Sequence, residues 1–483
     1  LVLHKKLLKN QRIREIMNKF ITNKLLLVAV LPLLLSSCFT AKTYERPVIE
    51  FENLYRTDNL PQDSVSFASV SYKDLFTDSY LKTYIQRGLD NNLDIRIALK
   101  SIAAAEAYVK QGKAGYLPVV NGAATATRTA RTSENGQFGS FFTRPFNQYE
   151  TSGTVSWEAD IWGKIRSTKR ASDASYLKTI AAHKAVKTSL VAQIAITYYQ
   201  ILALDQQILV TEETIKNRSK SVETITALKE AGQANQVGID QTAAQLYSAQ
   251  GQLLDLKNSL YQTENTFSIL LGEQPQLYTR SALDEQSLAN EMKLGVPALL
   301  LRNRPDIMQA EYSLVNSFEL TNVARSNFYP SIKLSAQGGL QSLELDNWFD
   351  SSSIFANLVG GLTQPIFNGR KIRTAYEVAK TQQEQSLLSF KKALLTAGKE
   401  VSEALFDYNN SVEKEVFVAK QVAALKRAER NSEELLNNGY LTYLDLLTAR
   451  ENSLNAEINL INNKFTQLSA TVELYRSLGG GWQ

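Results

Sequence analysis

The chain has 483 residues, 44% of them hydrophobic and 21% charged, a composition that makes disorder an unsuitable default. A formal charge of +5 invites a nucleic-acid reading, but the excess is confined to one end. Lys5, Lys6, Lys9, Arg12, Arg14, Lys19 and Lys24 precede Cys38 against a single acid, Glu15, so the 53 basic and 48 acidic residues of the whole chain fall to 46 and 47 from Cys38 onward. A nearly neutral body offers no electrostatic footprint for a polyanion, which excludes nucleic acid as a partner.

In chain order, the first element is a leader. Lys19 and Lys24 stand before an apolar run, Leu25 to Leu35, which ends at Ser36-Ser37-Cys38. A bilayer span needs ~20 apolar residues. A charged start, a shorter apolar run and small residues before a cut predict a signal peptide over 1–37. Leu35-Ser36-Ser37-Cys38 resembles a bacterial lipobox, which implies a covalent lipid on Cys38 as the mature N-terminus. Cys38 is the one cysteine in the chain, so no disulfide forms within it; the competing reading is a buried free thiol. Residues 38–71 are polar, hold Pro47 and Pro61, and read as a strap on the surface.

From 72 onward the pattern is written twice, as repeats over 72–290 and 291–483. A helical stretch from Asn92-Leu93-Asp94-Ile95 to Leu117-Pro118 is matched by one from Arg304-Pro305-Asp306-Ile307 to Tyr329-Pro330, with Asp94 and Asp306 each 24 residues before the proline. Two stretches follow each proline, near 119–130 and 149–158, then near 331–341 and 354–364. Three of them alternate apolar and polar residues, as in Tyr149, Thr151, Gly153, Val155 and Trp157 against Glu150, Ser152, Thr154, Ser156 and Glu158. Period two over about ten residues is the pattern of a tilted membrane-barrel strand, although soluble hairpins can share it.

Each pair of strands leads into a long helix. Residues 164–231 contain neither proline nor glycine, and 370–438 contain only Gly398. At ~1.5 Å per residue such a run spans roughly 100 Å, so it must lie along another long helix. Apolar residues keep steps of three and four through Leu387, Phe390, Leu394, Ala397, Val401, Ala404 and Tyr408, and again from Leu454 through Ile461, Leu468 and Tyr475. A sustained 3.5-residue repeat predicts coiled-coil-like packing; an ordinary helical bundle is the alternative. Gly232 and Gly439 break the long helices, and Asp240 and Asp445 are read as opening the return helices. Four strands are too few to enclose an aqueous lumen, and an open sheet in lipid leaves its edge groups unsatisfied, so the membrane reading requires several copies.

At this point the chain resembles the TolC-like outer-membrane efflux proteins, in their OprM/NodT-type lipoprotein branch. The resemblance rests on the lipobox, Leu300-Leu-Arg-Asn-Arg-Pro-Asp-Ile307 with Ala310-Glu311, Phe328-Tyr-Pro-Ser331 and the closing Leu478-Gly-Gly-Gly-Trp482. It implies a mainly α fold with a small β part: long antiparallel helices in a periplasmic α-barrel, and four strands per chain in a trimeric 12-stranded β-barrel. It also implies a homotrimer, a periplasmic adaptor protein, an inner-membrane efflux pump, and a lipid-anchored place in the outer membrane. The tip turns of the helical barrel then fall at Gly232, Asp240, Gly439, Tyr440 and Tyr443. The resemblance makes Asp445 the candidate for an acidic ring at the pore constriction; the alternative is that Asp445 only favours a helix N-terminus. Thr448 stands where the family's second acid is expected, and Leu441 where a basic latch is expected.

Catalytic chemistry is missing. His183 is the single histidine after the leader, so neither a His/Cys zinc site nor a Cys–His couple can be built. Gly163-Lys164 is followed by Ile165 and is no P-loop. No metal or cofactor is expected, and no enzyme. The reading is an exit duct of a tripartite efflux system, against a lipid-anchored coiled-coil scaffold without a pore.

Overall fold

The computed structural model of the chain describes residues 41–49, 54, 70–129, 145–287 and 303–482. The leader, Cys38, most of the strap and residues 300–302 of the Leu300–Ile307 motif lie outside the described residues.

After a one-turn helix, Tyr72–Leu75, α1 spans Ser79–Asn91 and α2 spans Leu93–Ala114. Asp78 caps α1, its carboxylate accepting from Tyr80 N at 2.7 Å, which satisfies a donor that the helix leaves free. Strands β1 (Val119–Thr129) and β2 (Phe146–Glu158) follow, then α3 (Lys164–Glu230) and α4 (Gln236–Leu271). The second half runs α5 (Pro305–Ser326), β3 (Ser331–Ser342), β4 (Ile354–Thr363), α6 (Lys371–Asn437) and α7 (Tyr443–Ser477). Both long helices are 67 residues and occupy the two proline-free windows, with Gly398 inside the second. Among the described residues no helix is long and apolar enough to cross a membrane.

Two compact units divide the chain. One holds Val109–Asp173 and Val315–Gln383, and with them the whole sheet; the other holds Pro47–Tyr108, Ala174–Leu314 and Glu384–Gln483. In the helical unit the apolar stripes of the long helices are the core. Val191, Ile194, Tyr198 and Ile201 are buried on α3, as are Phe390, Leu394, Ala397 and Val401 on α6, and Leu454, Leu468, Val472 and Tyr475 on α7. Burial of one such side chain stabilises by about 1.5–3 kcal/mol. On α4 the seam is weaker: Phe267 and Leu271 are buried, and the charged Glu264 is buried with them. Its carboxylate pairs with Arg280, which also binds Asp205 Oδ1 at 2.8 Å, so the polar positions on α3 and α4 answer one cation. A cluster of rings, Tyr84, Phe267 and Tyr278, packs edge to face with centroids 5.0–5.4 Å apart.

The duplication holds at atomic detail. From Val119 to Ser331 is 212 positions, and the same step carries Asn91 to Asn303 and Asn92 to Arg304. From Lys164 to Lys371 is 207 positions, as from Gly232 to Gly439 and from Gly272 to Gly479. Gly272 (φ +71°) sits against the Asn91 carbonyl and Gly479 (φ +95°) against the Asn303 carbonyl, where a Cβ would come within 2.5 and 2.6 Å. Only glycine permits both that backbone conformation and that approach. Beside them, Asn92 Nδ2 donates to Leu270 O at 2.9 Å and Arg304 Nη1 donates to Ser477 O at 2.8 Å. Different side chains therefore close the same joint in the two halves.

Candidate functional site

The four strands form one antiparallel sheet in the order β1-β2-β3-β4. Its register places Val120 opposite Val155, Trp157 opposite Leu334, Ala336 opposite Leu358, and Ile332 opposite Leu362. Because side chains alternate between faces, these residues share one face. The other face carries Asn121, Thr154, Gln337 and Asn357 in one row and Glu158 opposite Lys333 in another. Burial on the two faces is the reverse of that in a water-soluble sheet. Val120, Leu358 and Leu362 are 67–74% exposed, while Ser152 on the polar face is buried and Glu150 half-buried. Glu150 there accepts from Ser152 Oγ at 2.9 Å and from Gln337 Nε2 at 3.0 Å. Val119, Ala123, Phe146, Phe355 and Val359 are the apolar exceptions on the polar side. An apolar face left bare over four strands is a surface for hydrocarbon, and a hydrogen-bonded polar face is one for water.

Aromatic side chains gather at the end of the sheet where α3 begins. Trp157 Nε1 donates to Tyr116 O at 3.0 Å. Trp162 Nε1 donates to Pro330 O at 2.7 Å and its ring stacks on Tyr329, centroids 4.9 Å apart. Such rings, apolar with one polar handle, suit a membrane–water boundary.

In the helical unit the two hairpin turns are copies of one backbone. Gly232 has φ +78° and Gly439 φ +76°. Gly232 N donates to Lys229 O and Gln233 N to Leu228 O, just as Gly439 N donates to Leu436 O and Tyr440 N to Leu435 O. This is the glycine-terminated helix end in which a left-handed residue lets the last carbonyls be used. The return helices start differently from the expectation. Asn235 caps α4, accepting from Gly238 N at 3.0 Å; Asp240 lies further along and accepts from Gln236 Nε2 at 2.8 Å. On α7 the cap is Thr442, whose backbone N–H donates to Asp445 Oδ2 at 3.1 Å. Asp445 is exposed and so has a local task in holding its helix start. Tyr440 is 80% exposed, whereas Tyr443 has its hydroxyl buried with no partner.

Two arginines above these turns, Arg218, which is buried, and Arg450, whose side chain is 11% exposed, were not legible as site residues. Arg218 of α3 donates to Gln245 O of α4 at 2.6 Å and to Glu451 Oε2 of α7 at 2.5 Å. Arg450 of α7 donates to Ser221 Oγ of α3 and to Glu433 Oε1 of α6 at 3.2 Å. Together they tie all four long helices at one level. Glu433 and Glu429, which the sequence presents as solvated charge, serve this tie. His183 is half-buried in a groove with Tyr72, Gln86 and Asp90. Burial, then the charges of Lys187 and Lys184, hold its imidazole below the usual value and so neutral at pH 7.

A bare apolar sheet face and duplicated helical hairpins with glycine turns are features of known proteins. A sequence model described as "outer membrane efflux protein" matches residues 84–273 and 296–480. The chain belongs to that family. The solvent efflux pump outer membrane protein SrpC of Pseudomonas putida is 28% identical over 457 residues, covering 93% of this chain and 97% of the relative. The cation efflux system protein CusC of Escherichia coli strain K12 is 25% identical over 452 residues, with 93% and 97% covered. Among solved structures, the open state of the MtrE outer membrane channel of Neisseria gonorrhoeae superposes with a TM-score of 0.79 at 25% identity, covering 92% of this chain and 99% of that one. The protein is thus an outer-membrane efflux channel of the TolC-like kind and not an enzyme, and the scaffold reading is set aside.

Proposed function

We propose that three copies of this chain close one 12-stranded β-barrel and one helical tunnel, and that the assembly is a passive exit duct. The carrying observation is the sheet: its apolar face is bare, and β1 and β4 stand at its two edges. In lipid those edges need partners, and a second copy supplies them. Cys38 carries the covalent lipid that anchors each chain in the outer membrane. Energy comes from an inner-membrane pump through a periplasmic adaptor, which meets the hairpin turns around Gly232, Asp240, Gly439 and Tyr440. The exposed Val237, Tyr440 and Leu444 give such a partner apolar contact.

Asp445, repeated by the symmetry, forms the acidic ring of the constriction. Three carboxylates around a narrow opening attract cations and repel one another. Asp445→Asn keeps an oxygen for the Thr442 N–H and removes the charge, so the turn stays while the ring is neutralised. In planar bilayers under a salt gradient, the wild type is expected to show a cation-selective reversal potential and Asp445→Asn a potential near zero. An unchanged potential in the variant assigns the selectivity elsewhere.

A further inference from the structure

The two long helices leave the sheet by copies of one backbone that carry different chemistry. Val119 pairs with Ser156 and its counterpart Ser331 with Thr363, so 207 positions separate the ends of β2 and β4. The same step joins the starts of α3 and α6, Lys164 and Lys371. Between these points it carries Glu158 to Pro365, Asp160 to Phe367, Gly163 to Arg370 and, just beyond, Arg166 to Arg373. In the first repeat the charges are answered locally. Glu158 pairs with Lys164 at 3.0 Å, and Asp160 accepts from the N–H groups of Ile165 and Arg166 at 2.8 and 2.9 Å. In the second repeat the acids are gone. No Asp or Glu lies between Asp350 and Glu377, while Arg370, Lys371 and Arg373 are all exposed. Arg370 reaches Glu377 at 3.5 Å with both side chains more than half exposed, a pair that contributes little in water. Among the described residues Lys371 and Arg373 have no ion pair.

Two further observations bear on these cations. Arg370 has φ +65° where its counterpart Gly163 has φ +75°, and among the described residues it is the one non-glycine residue with a positive φ. An L side chain is strained there, and the loose pair with Glu377 does not offset it. Just ahead, Ile366 and Phe367 are 99% and 91% exposed. They follow directly on β4, whose Leu358 and Leu362 belong to the bare apolar face. Apolar side chains, then a ring, then arginine and lysine is the order in which a chain passes from hydrocarbon to the headgroup layer.

We propose, resting on the membrane assignment of that sheet face, that Arg370, Lys371 and Arg373 bind the phosphate of an anionic phospholipid. The lipid lies in the leaflet at the helical end of the barrel, with Ile366 and Phe367 against its acyl chains. The planar guanidinium of Arg370 takes two phosphate oxygens at once, and the two other cations add charge. The start of α3, with two acids against two bases over Glu158–Arg166, has no such site.

Lipid selectivity of the full-length lipoprotein in phosphatidylcholine vesicles tests this. Spin-labelled phosphatidylglycerol is compared with spin-labelled phosphatidylcholine at the protein boundary. The wild type is expected to prefer phosphatidylglycerol by roughly fivefold or more, the factor that one cation near an anionic headgroup contributes. Arg370→Gly/Lys371→Gln/Arg373→Gln should bring the two lipids to parity. Lys164→Gln/Arg166→Gln, the matching change in the first repeat, should leave the preference intact. Arg370→Gly alone should lower the preference yet raise the denaturation midpoint in detergent, because glycine takes a positive φ without strain. Gly163 shows that this turn accepts a glycine, so the variant folds. An unchanged preference in the triple variant, or an equal loss in the first-repeat pair, overturns the site. Suppression of the wild-type preference by inorganic phosphate would make it a free-anion site, and dissociation of the triple variant in detergent would make the patch a subunit contact. Either result overturns the lipid assignment. A wild type that fails to float with the vesicles removes the membrane assignment of the sheet instead.

Discussion

Lysine at two bare positions of the sheet, Leu334→Lys with Leu358→Lys, is expected to abolish stable insertion of the channel in the outer membrane. Both residues lie on the apolar face, 46% and 74% exposed, with Gly360 and Ala336 as cross-strand neighbours. A lysine facing lipid near the bilayer midplane costs about 2–4 kcal/mol, and the two changes recur in every protomer of the assembly. That total rivals the whole stability of a typical domain, ~5–15 kcal/mol. Membrane fractionation, with the size of the detergent-extracted protein read beside it, checks it. The same lysines on the polar face, Ser335→Lys with Asn357→Lys, should insert nearly as the wild type does. If the polar-face pair is the damaging one, the faces have been assigned the wrong way round.

The joint at the start of the second repeat gives the other large effect. Arg304 is buried, donates to Ser477 O, and binds Asp306 Oδ2 at 2.6 Å and Glu400 Oε2 at 2.8 Å. Arg304→Met strips Asp306 and a helix-end carbonyl of their cation and leaves Glu400 with Arg476 alone, at 3.4 Å. Removing one partner of a fully buried pair costs about 3–5 kcal/mol; with Asp306 45% and Glu400 26% exposed, solvent screening brings the loss below that range. The denaturation midpoint of the variant should fall accordingly, and adding Asp306→Asn and Glu400→Gln should restore part of it, since the stranded charges are then gone. Burial works against ionisation of Asp306, but hydrogen bonds and charge from Arg304 outweigh it and hold its carboxyl below the ordinary value. A depressed folded value means that this stabilisation is complete above the unfolded carboxylate range, near 3.9, and is lost as pH falls through the folded value. The gap in stability between the wild type and Arg304→Met should therefore narrow as pH falls below that range. A variant as stable as the wild type would show the cluster to be incidental.

Much of this architecture is legible in the residues because long helices and membrane strands leave coarse marks. A run without proline, broken by glycine only at Gly398, predicts α3 and α6 almost to their ends, and period two locates three of the four strands to within a few residues. The glycine turns at Gly232 and Gly439 are equally plain, since few other residues take a positive φ without strain. What escapes is chemistry that changes while the backbone repeats. Asn92 and Arg304 close the same joint with an amide and a guanidinium, and no motif links them. Asp240 and Asp445 look equivalent beside their glycines, yet the 207-residue step carries Asn235 to Thr442 and Gly238 to Asp445, so Asp240 has no acidic counterpart. Arg218 and Arg450 sit in mixed-charge helix that resembles solvated surface, and only packing of the four long helices buries them.

The central claim is that the chain forms a water-filled duct through the outer membrane. Single-channel recording of the full-length lipoprotein in planar bilayers tests it most directly. Discrete conductance steps, from protein that sizes as a trimer and is lost to the bilayer when Leu334→Lys and Leu358→Lys are introduced, are the predicted result. An inserted trimer that stays silent at every voltage, and also after both Asp445→Asn and loosening of the Arg218 and Arg450 ties, would contradict it.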